Sequence, residues 1–313
     1  MDVEDPINPL ADQAALDLAE LFSEAGVKAS FCLTGEKCRT LLARGRQDVL
    51  DAYRPHCLGL HTDTHSYHPT TMELLADVPF EKGCRLAFET ESKGFNAFQS
   101  AFGRDPVFWG GAGNTWSPEI TSALKQLGIP AYCYALTALP NDAVHRFNGV
   151  VALPQALSIS EPDWADSTDR PNRVLDAIRE SDQPWLGVFV GHPTRLRYTQ
   201  FWDFPFNHGQ TPEIPEQAQP VEEPVYQRSL ENLRAFLVKL QATTEIIGVD
   251  DFFTADLSFR PPTLSELEFF RLNTSGNLRG AAKWPIHRQD LSPELIVSKT
   301  LALEATLGVI SNV

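Results

Sequence analysis

Residues 59–69 read GLHTDTHSYHP and hold three histidines, with His61 and His65 four positions apart. Imidazoles at that spacing share one face of a helix and can converge on a transition metal. The pair alone says little, because a hydrolytic metal site needs a third ligand, often a carboxylate. Three candidate carboxylates stand in the opening stretch DVEDP: Asp2, Glu4 and Asp5. A further chemical group is His192, which ends the apolar run WLGVFVGHP (185–193). An imidazole there can pass a proton near neutral pH. Each has a plainer reading: solvated loop histidines, an acidic cluster ahead of a helix, and a hydrogen-bonded structural histidine.

These groups need elements to position them. AALDLAELFSEAG (14–26) places Leu18, Leu21, Phe22 and Ala25 on one helical stripe, and Gly26 can end it. VKASFCLTG (27–35) reads as a buried strand, 36–53 as a helix, and HCLGLHT (56–62) as a short strand. The stretch to about residue 102 is mostly helical. DPVFWGGAG (105–113) is a strand running into a glycine-rich loop, and SPEITSALKQLG (117–128) is a helix with Ser117 as N-cap and Gly128 at its end. Further strands are expected at 129–136, 185–193 and 245–253, and helices at 170–181 and 223–241. Alternating strands and helices mean a parallel sheet with right-handed crossovers. About seven such units point to a closed or nearly closed barrel, with an open doubly wound sheet as the alternative. Either way the site belongs at the C-terminal ends of the strands. His61, His192, the Gly110–Gly113 loop and the acidic opening all fall there.

The chain has 313 residues, a formal net charge of −15 and 42% hydrophobic residues. That supports a packed core and argues against binding to a phosphate backbone. No apolar run reaches membrane-span length, and no basic-then-apolar leader opens the sequence. The five cysteines are scattered without a CxxC, as expected of thiols in a reducing compartment such as the cytoplasm. The oligomeric state is not legible.

The sequence resembles the polysaccharide deacetylases with a NodB-type domain, carbohydrate esterase family four. The resemblance rests on DVEDP followed by EAGVKASFCLTG, on HTDTH (61–65), on VFWGGAGNTWSPEITSALKQLGI and on GVFVGHP, with a weaker match at SISEPDW (158–164). It covers roughly residues 1–255 and implies a distorted parallel (β/α) barrel, with a helical C-terminal extension over 256–313. It also implies a divalent metal ion, most often zinc, held by a carboxylate with His61 and His65. If VEDP overlays the family's adjacent acidic pair, Glu4 is the base and Asp5 the ligand. In the spaced variant, Asp2 is the base and Glu4 the ligand. His192 is then the general acid, oriented by Asp163, and His68 lies beyond the motif. Trp109, Gly113 and Trp164 are candidate substrate contacts, and Trp116 and Trp202 candidate sugar-stacking faces. The insert over 194–224 is expected near the site.

Three departures stand out. The family's arginine, which tunes its base, would fall near Trp109. Glu161 takes the place of an aspartate. The chain begins almost on the first motif, so either the first strand is lacking or the chain starts inside a longer protein. The expected activity is deacetylation of an N-acetylated polysaccharide or glycoconjugate. The alternatives are allantoinase-like hydrolysis of a small cyclic amide and a catalytically impaired binding protein.

Overall fold

A computed structural model describes residues 1–76, 78–115, 117–134, 144–154, 190–204, 218–253 and 259–260, with 176 and 180 besides. The fold is α/β. Among the described residues the strands are β1 (Asp2–Val3), β2 (Ser30–Leu33), β3 (Cys57–Leu60), β4 (Trp109–Gly110), β5 (Ala131–Tyr134), β6 (Val144–Phe147), β7 (Val150–Pro154) and β8 (Phe259–Arg260). They form one sheet in the order β1-β2-β3-β4-β5-β7-β6-β8. All neighbouring pairs are parallel except β6 with β7.

Alternation along the strands sorts the two faces of the sheet. Phe31 and Leu33 of β2 and Leu58 of β3 join the core made with the helices, while Cys32 and Cys57 point to the other face with Phe108, Ala131, Val151 and Leu153. A sheet buried on both faces explains why these strands read as continuous apolar runs. The first core is built on α1 (Pro9–Glu24), α2 (Gly35–Ala43) and α3 (Gln47–Tyr53). Its aromatic centre is Phe31 against Tyr53, with ring centroids 4.4 Å apart. Each such fully buried large side chain contributes roughly 1.5–3 kcal/mol.

Beyond β3 the chain passes through α4 (Thr71–Leu75) and the long α5 (Phe80–Phe102), then β4 and α6 (Pro118–Leu127). Farther on come α7 (Pro193–Arg197), α8 (Glu223–Gln241) and α9 (Val249–Phe252). Four expectations change. The helix at 36–53 is two, divided at Gly45, whose φ of +66° suits glycine. The stretch at 245–253 is not a strand: Asp251 accepts from Gly248 N at 3.2 Å and starts α9. Residues 144–154, given no element in the sequence, form a hairpin turning on Asn148 and Gly149, at φ +51° and +80°. Finally, Phe259–Arg260, assigned to a helical extension, pairs with β6.

The opening residues do form a strand, though only a two-residue one, with Asp2 opposite Cys32 and Val3 opposite Leu33. Asp2 N donates to Gly191 O at 2.7 Å, so the outer edge of β1 meets the chain just ahead of His192. The rest of the expected strand 185–193 lies outside the described residues, as do nearly all of the helix at 170–181 and the extension at 256–313 apart from Phe259–Arg260. Buried Lys37 braces the opening from behind, with Nζ 2.5 Å from both Asp5 O and Asp12 Oδ1. Among the described residues, no helix is long and apolar enough to cross a membrane.

Candidate metal centre

Glu4 follows β1 and His61 follows β3, so both stand at strand C-termini. His65 is carried back by the loop after His61. All three are buried. Glu4 Oε2 lies 2.9 Å from His61 Nε2 and 2.9 Å from His65 Nε2.

The far side of each ring fixes its tautomer. His61 Nδ1 lies 3.1 Å from the Gly110 carbonyl, which only accepts, so Nδ1 carries the proton. His65 Nδ1 lies 2.6 Å from Ser66 Oγ, and the Ser66 hydroxyl donates to Asp203 Oδ2 at 2.6 Å. The serine proton is thus used on Asp203, and its oxygen accepts from His65 Nδ1. Both neutral rings therefore turn an Nε2 lone pair toward one carboxylate oxygen. Facing electron pairs need a cation between them, either an extra ring proton or a metal ion. The field favours charge. Burial pushes Glu4 upward, but His65 and His61 hold it well below the usual carboxylate range. Burial pushes His61 down, yet the charges of Asp2 and Glu4 bring it out above its ordinary value. A buried carboxylate with two pre-oriented imidazoles fits a zinc-class ion with an open position.

The loop between the histidines is strained and held. Thr62 and His65 adopt φ of +53° and +49°, uncommon for non-glycine residues and costly for a β-branched one. Thr62 Oγ1 donates to Glu91 Oε1 at 2.7 Å, and Thr71 Oγ1 donates to the same oxygen at 3.1 Å. Gly94 lets α5 approach the loop: a Cβ there would stand 3.1 Å from Asp63 Cα and 3.2 Å from Thr62 O. Glu91 is fully buried, and burial pushes its carboxyl up to about 7 despite its three hydrogen-bond donors.

The third donor to Glu91 is Trp109, whose Nε1 gives a 2.7 Å bond to Oε2. Trp109 is therefore core, not a substrate contact. Alternation on β4 turns its ring toward the helices and Gly110 toward the site. Gly113 is exposed in the following turn at φ +58°. Trp164, Trp116, Glu161 and Asp163 lie outside the described residues.

The structure does not bring Asp5 to the histidines. Its Oδ1 accepts from Ile7 N and Asn8 N, each at 2.9 Å, and its Oδ2 from Asn8 Nδ2 at 2.9 Å and Thr194 Oγ1 at 2.6 Å. Four donors engage that carboxylate, and Glu4 takes the position beside the rings. Asp2 instead faces His192, with Oδ2 and Nε2 3.7 Å apart and both side chains about a quarter exposed. Phe201 meets the His192 ring edge-on at 5.2 Å. His68 is neither ligand nor surface residue; it is buried against Glu73 at 2.8 Å. Arg197 pairs with Glu223 at 2.7 Å, and Arg195 is exposed.

Sequence reasoning missed the partners behind the ligands. Trp202 Nε1 donates to Glu4 Oε1 at 3.1 Å, and Asp203 holds Ser66. Both are buried, so Trp202 offers no open stacking face. Ser66 adjoins the histidine motif, but nothing local ties it to a residue 137 positions away. Glu91 left one signal, a carboxylate on the apolar side of a helix.

No family model and no curated protein matches the chain. Solved structures do. A polysaccharide deacetylase from Mycobacterium smegmatis, so described provisionally, superposes with a TM-score of 0.52 at 15% identity, over 81% of this chain and 82% of that one. A 4-alpha-glucanotransferase from Thermococcus litoralis gives 0.52 at 12% identity, over 82% of this chain and 38% of its own. A family four pseudoenzyme from Bacillus anthracis gives 0.44 at 13% identity, over 84% of this chain. The chain spans 69% of that pseudoenzyme and 66% of a mutant of it. Parallel strands with covering helices, matched over four fifths of both chains, give this molecule the fold of that Mycobacterium smegmatis structure, on a widely divergent sequence.

Proposed function

We propose that the chain is a metal-dependent hydrolase of carbon–nitrogen amide bonds outside the peptide chain, acting on N-acetylated sugars of a polysaccharide or glycoconjugate. One observation carries this reading: two imidazoles with fixed tautomers and one buried carboxylate converge on a single point. Glu4, His61 and His65 would hold a divalent ion, with zinc favoured by the donor set. When bound, such an ion supplies Lewis acidity toward an amide carbonyl and acidifies water. Asp2, partly exposed beside the cluster, accepts the proton of the attacking water. His192, across from Asp2, delivers a proton to the departing amine. Trp202, Ser66 and Asp203 keep the ligands in register.

A second reading is a deacetylase-like protein with impaired catalysis. It is favoured by β4, where Trp109 points into the core and Gly110 brings no side chain, so no cation reaches Asp2 from that strand. The test starts with metal content by emission spectroscopy on purified protein, wild type against His61→Ala. One equivalent in the wild type, lost in the variant, is expected; a metal-free wild type defeats the hydrolase reading. Turnover of chitooligosaccharides against small ureides then separates deacetylation from allantoinase-like chemistry. Stoichiometric metal with neither turned over favours the impaired protein.

A further inference from the structure

A second set of ligand atoms lies beside the first. Cys32 and Asp2 are direct partners in the β1–β2 register, so their side chains leave the sheet on the same face. His61, just past β3, comes to the same place. β4 contributes Gly110, where a Cβ would stand 2.9 Å from His61 Nδ1 and 3.0 Å from Cys32 Sγ. Thiol and imidazole thus flank a space that glycine leaves clear. A carboxylate oxygen of Asp2, the Cys32 sulfur and a ring nitrogen of His61 all lie within 4.8 Å of one another. Cys32 is 2% exposed, and Asp2 meets His192 only at 3.7 Å, beyond hydrogen-bond length.

We propose that Asp2, Cys32 and His61 form a second, sulfur-containing cation site that takes thiophilic divalent ions such as cadmium or zinc. The ligand set is one thiolate, one imidazole and one carboxylate. Magnesium and calcium, which prefer all-oxygen shells, are excluded by the sulfur. On binding, the S–H bond breaks, a sulfur–metal bond forms and the thiol proton leaves to solvent, while the His61 proton moves from Nδ1, which takes the ion, to Nε2, which donates it to Glu4 Oε2. His61 is common to both sets, so an ion on the sulfur side leaves its Nε2 protonated and takes that lone pair from the Glu4 set. Its functional consequence rests on the reading given above: the ion would occupy the proposed base and one proposed ligand together, and so inhibit.

The test is a cadmium titration of the full chain, stripped with a chelator, followed by ultraviolet sulfur-to-metal charge-transfer absorption. The wild type should show a band saturating at one cadmium–thiolate per chain. Cys133→Ser should keep it and Cys32→Ser should lose it. Asp2→Asn, at a partly exposed position that spares the core, should weaken the apparent affinity on the order of tenfold. His65→Ala should retain the band while losing cobalt bound at the Glu4 set. No band in the wild type, or an unchanged band in Cys32→Ser, overturns the proposal. So does loss of the band in His65→Ala, which would make the sulfur an adjunct of the first set. A cadmium band in a protein that binds no cobalt would leave this site standing and remove the hydrolase reading instead.

Discussion

At the scale of the residue, neighbours in sequence have opposite tasks. Glu4 faces two imidazole lone pairs, whereas Asp5 is engaged by four donors that tie the opening to α7. Glu4→Gln, placed in a Cys32→Ser background that removes the sulfur-side set, should therefore abolish stoichiometric metal while the fold persists. Asp5→Asn should keep the metal but cost about 1–3 kcal/mol, because an amide cannot accept from all four donors. Metal analysis with urea unfolding checks both, and metal loss in Asp5→Asn alone would reverse the assignment. Glu91 gives a pH prediction. Its carboxyl is raised from 4.5 to about 7 by burial. Between those values the unfolded chain has released a proton that the folded chain still holds, so stability falls as pH rises through that window and levels above about 7. The drop, relative to Glu91→Gln, should approach roughly 3 kcal/mol. A flat difference between wild type and variant from pH 4.5 to 7 would contradict it.

At the scale of the element, the ligands stand on strand ends but are aimed by the segment after α7. Trp202 holds the free oxygen of Glu4, and Asp203 holds His65 through Ser66. Trp202→Phe and Asp203→Asn should each lower metal affinity by about 10–100-fold, the usual effect of removing a ligand's hydrogen-bond partner. Isothermal titration with zinc measures it; unchanged affinity in both would mean the ligands orient themselves. This split marks what the sequence could tell. HTDTH and the strand ends were legible because strand register and turn positions are local. The 223–241 helix was legible for the same reason, with a proline at its start and a regular apolar stripe. The hairpin at 144–154 was missed although Asn148–Gly149 is a strong two-residue turn signal. The partners of the ligands were not legible, because Ser66 and Asp203 meet only through the folded chain. The role of Trp109 was hidden for a related reason: alternation decides which of Trp109 and Gly110 faces the site, and a two-residue strand gives no pattern to count.

At the scale of the whole molecule, the candidate centre gathers distant parts of one chain. Glu4 is next to the opening strand, His61 and His65 follow β3, and Trp202 and Asp203 reach in from beyond α7. An ion seated there binds only the folded arrangement, so it stabilises the entire fold by mass action. At a free metal concentration a hundredfold above Kd the gain is about 2.7 kcal/mol. In a chain of this size that corresponds to a rise of a few degrees in Tm. The effect should be specific in a way that charge screening is not. The protein carries a formal −15, so any divalent salt relieves some repulsion. Magnesium at the same concentration gives that general effect alone, because the imidazoles favour zinc. Thermal unfolding of chelator-treated Cys32→Ser protein, which lacks the sulfur-side set, should thus show a zinc increment beyond the magnesium one, absent when Glu4→Gln or His65→Ala is added. An equal increment from both ions, or one that survives both substitutions, would place the stabilisation on the acidic surface and leave the buried carboxylate and its two histidines as a proton-bridged cluster.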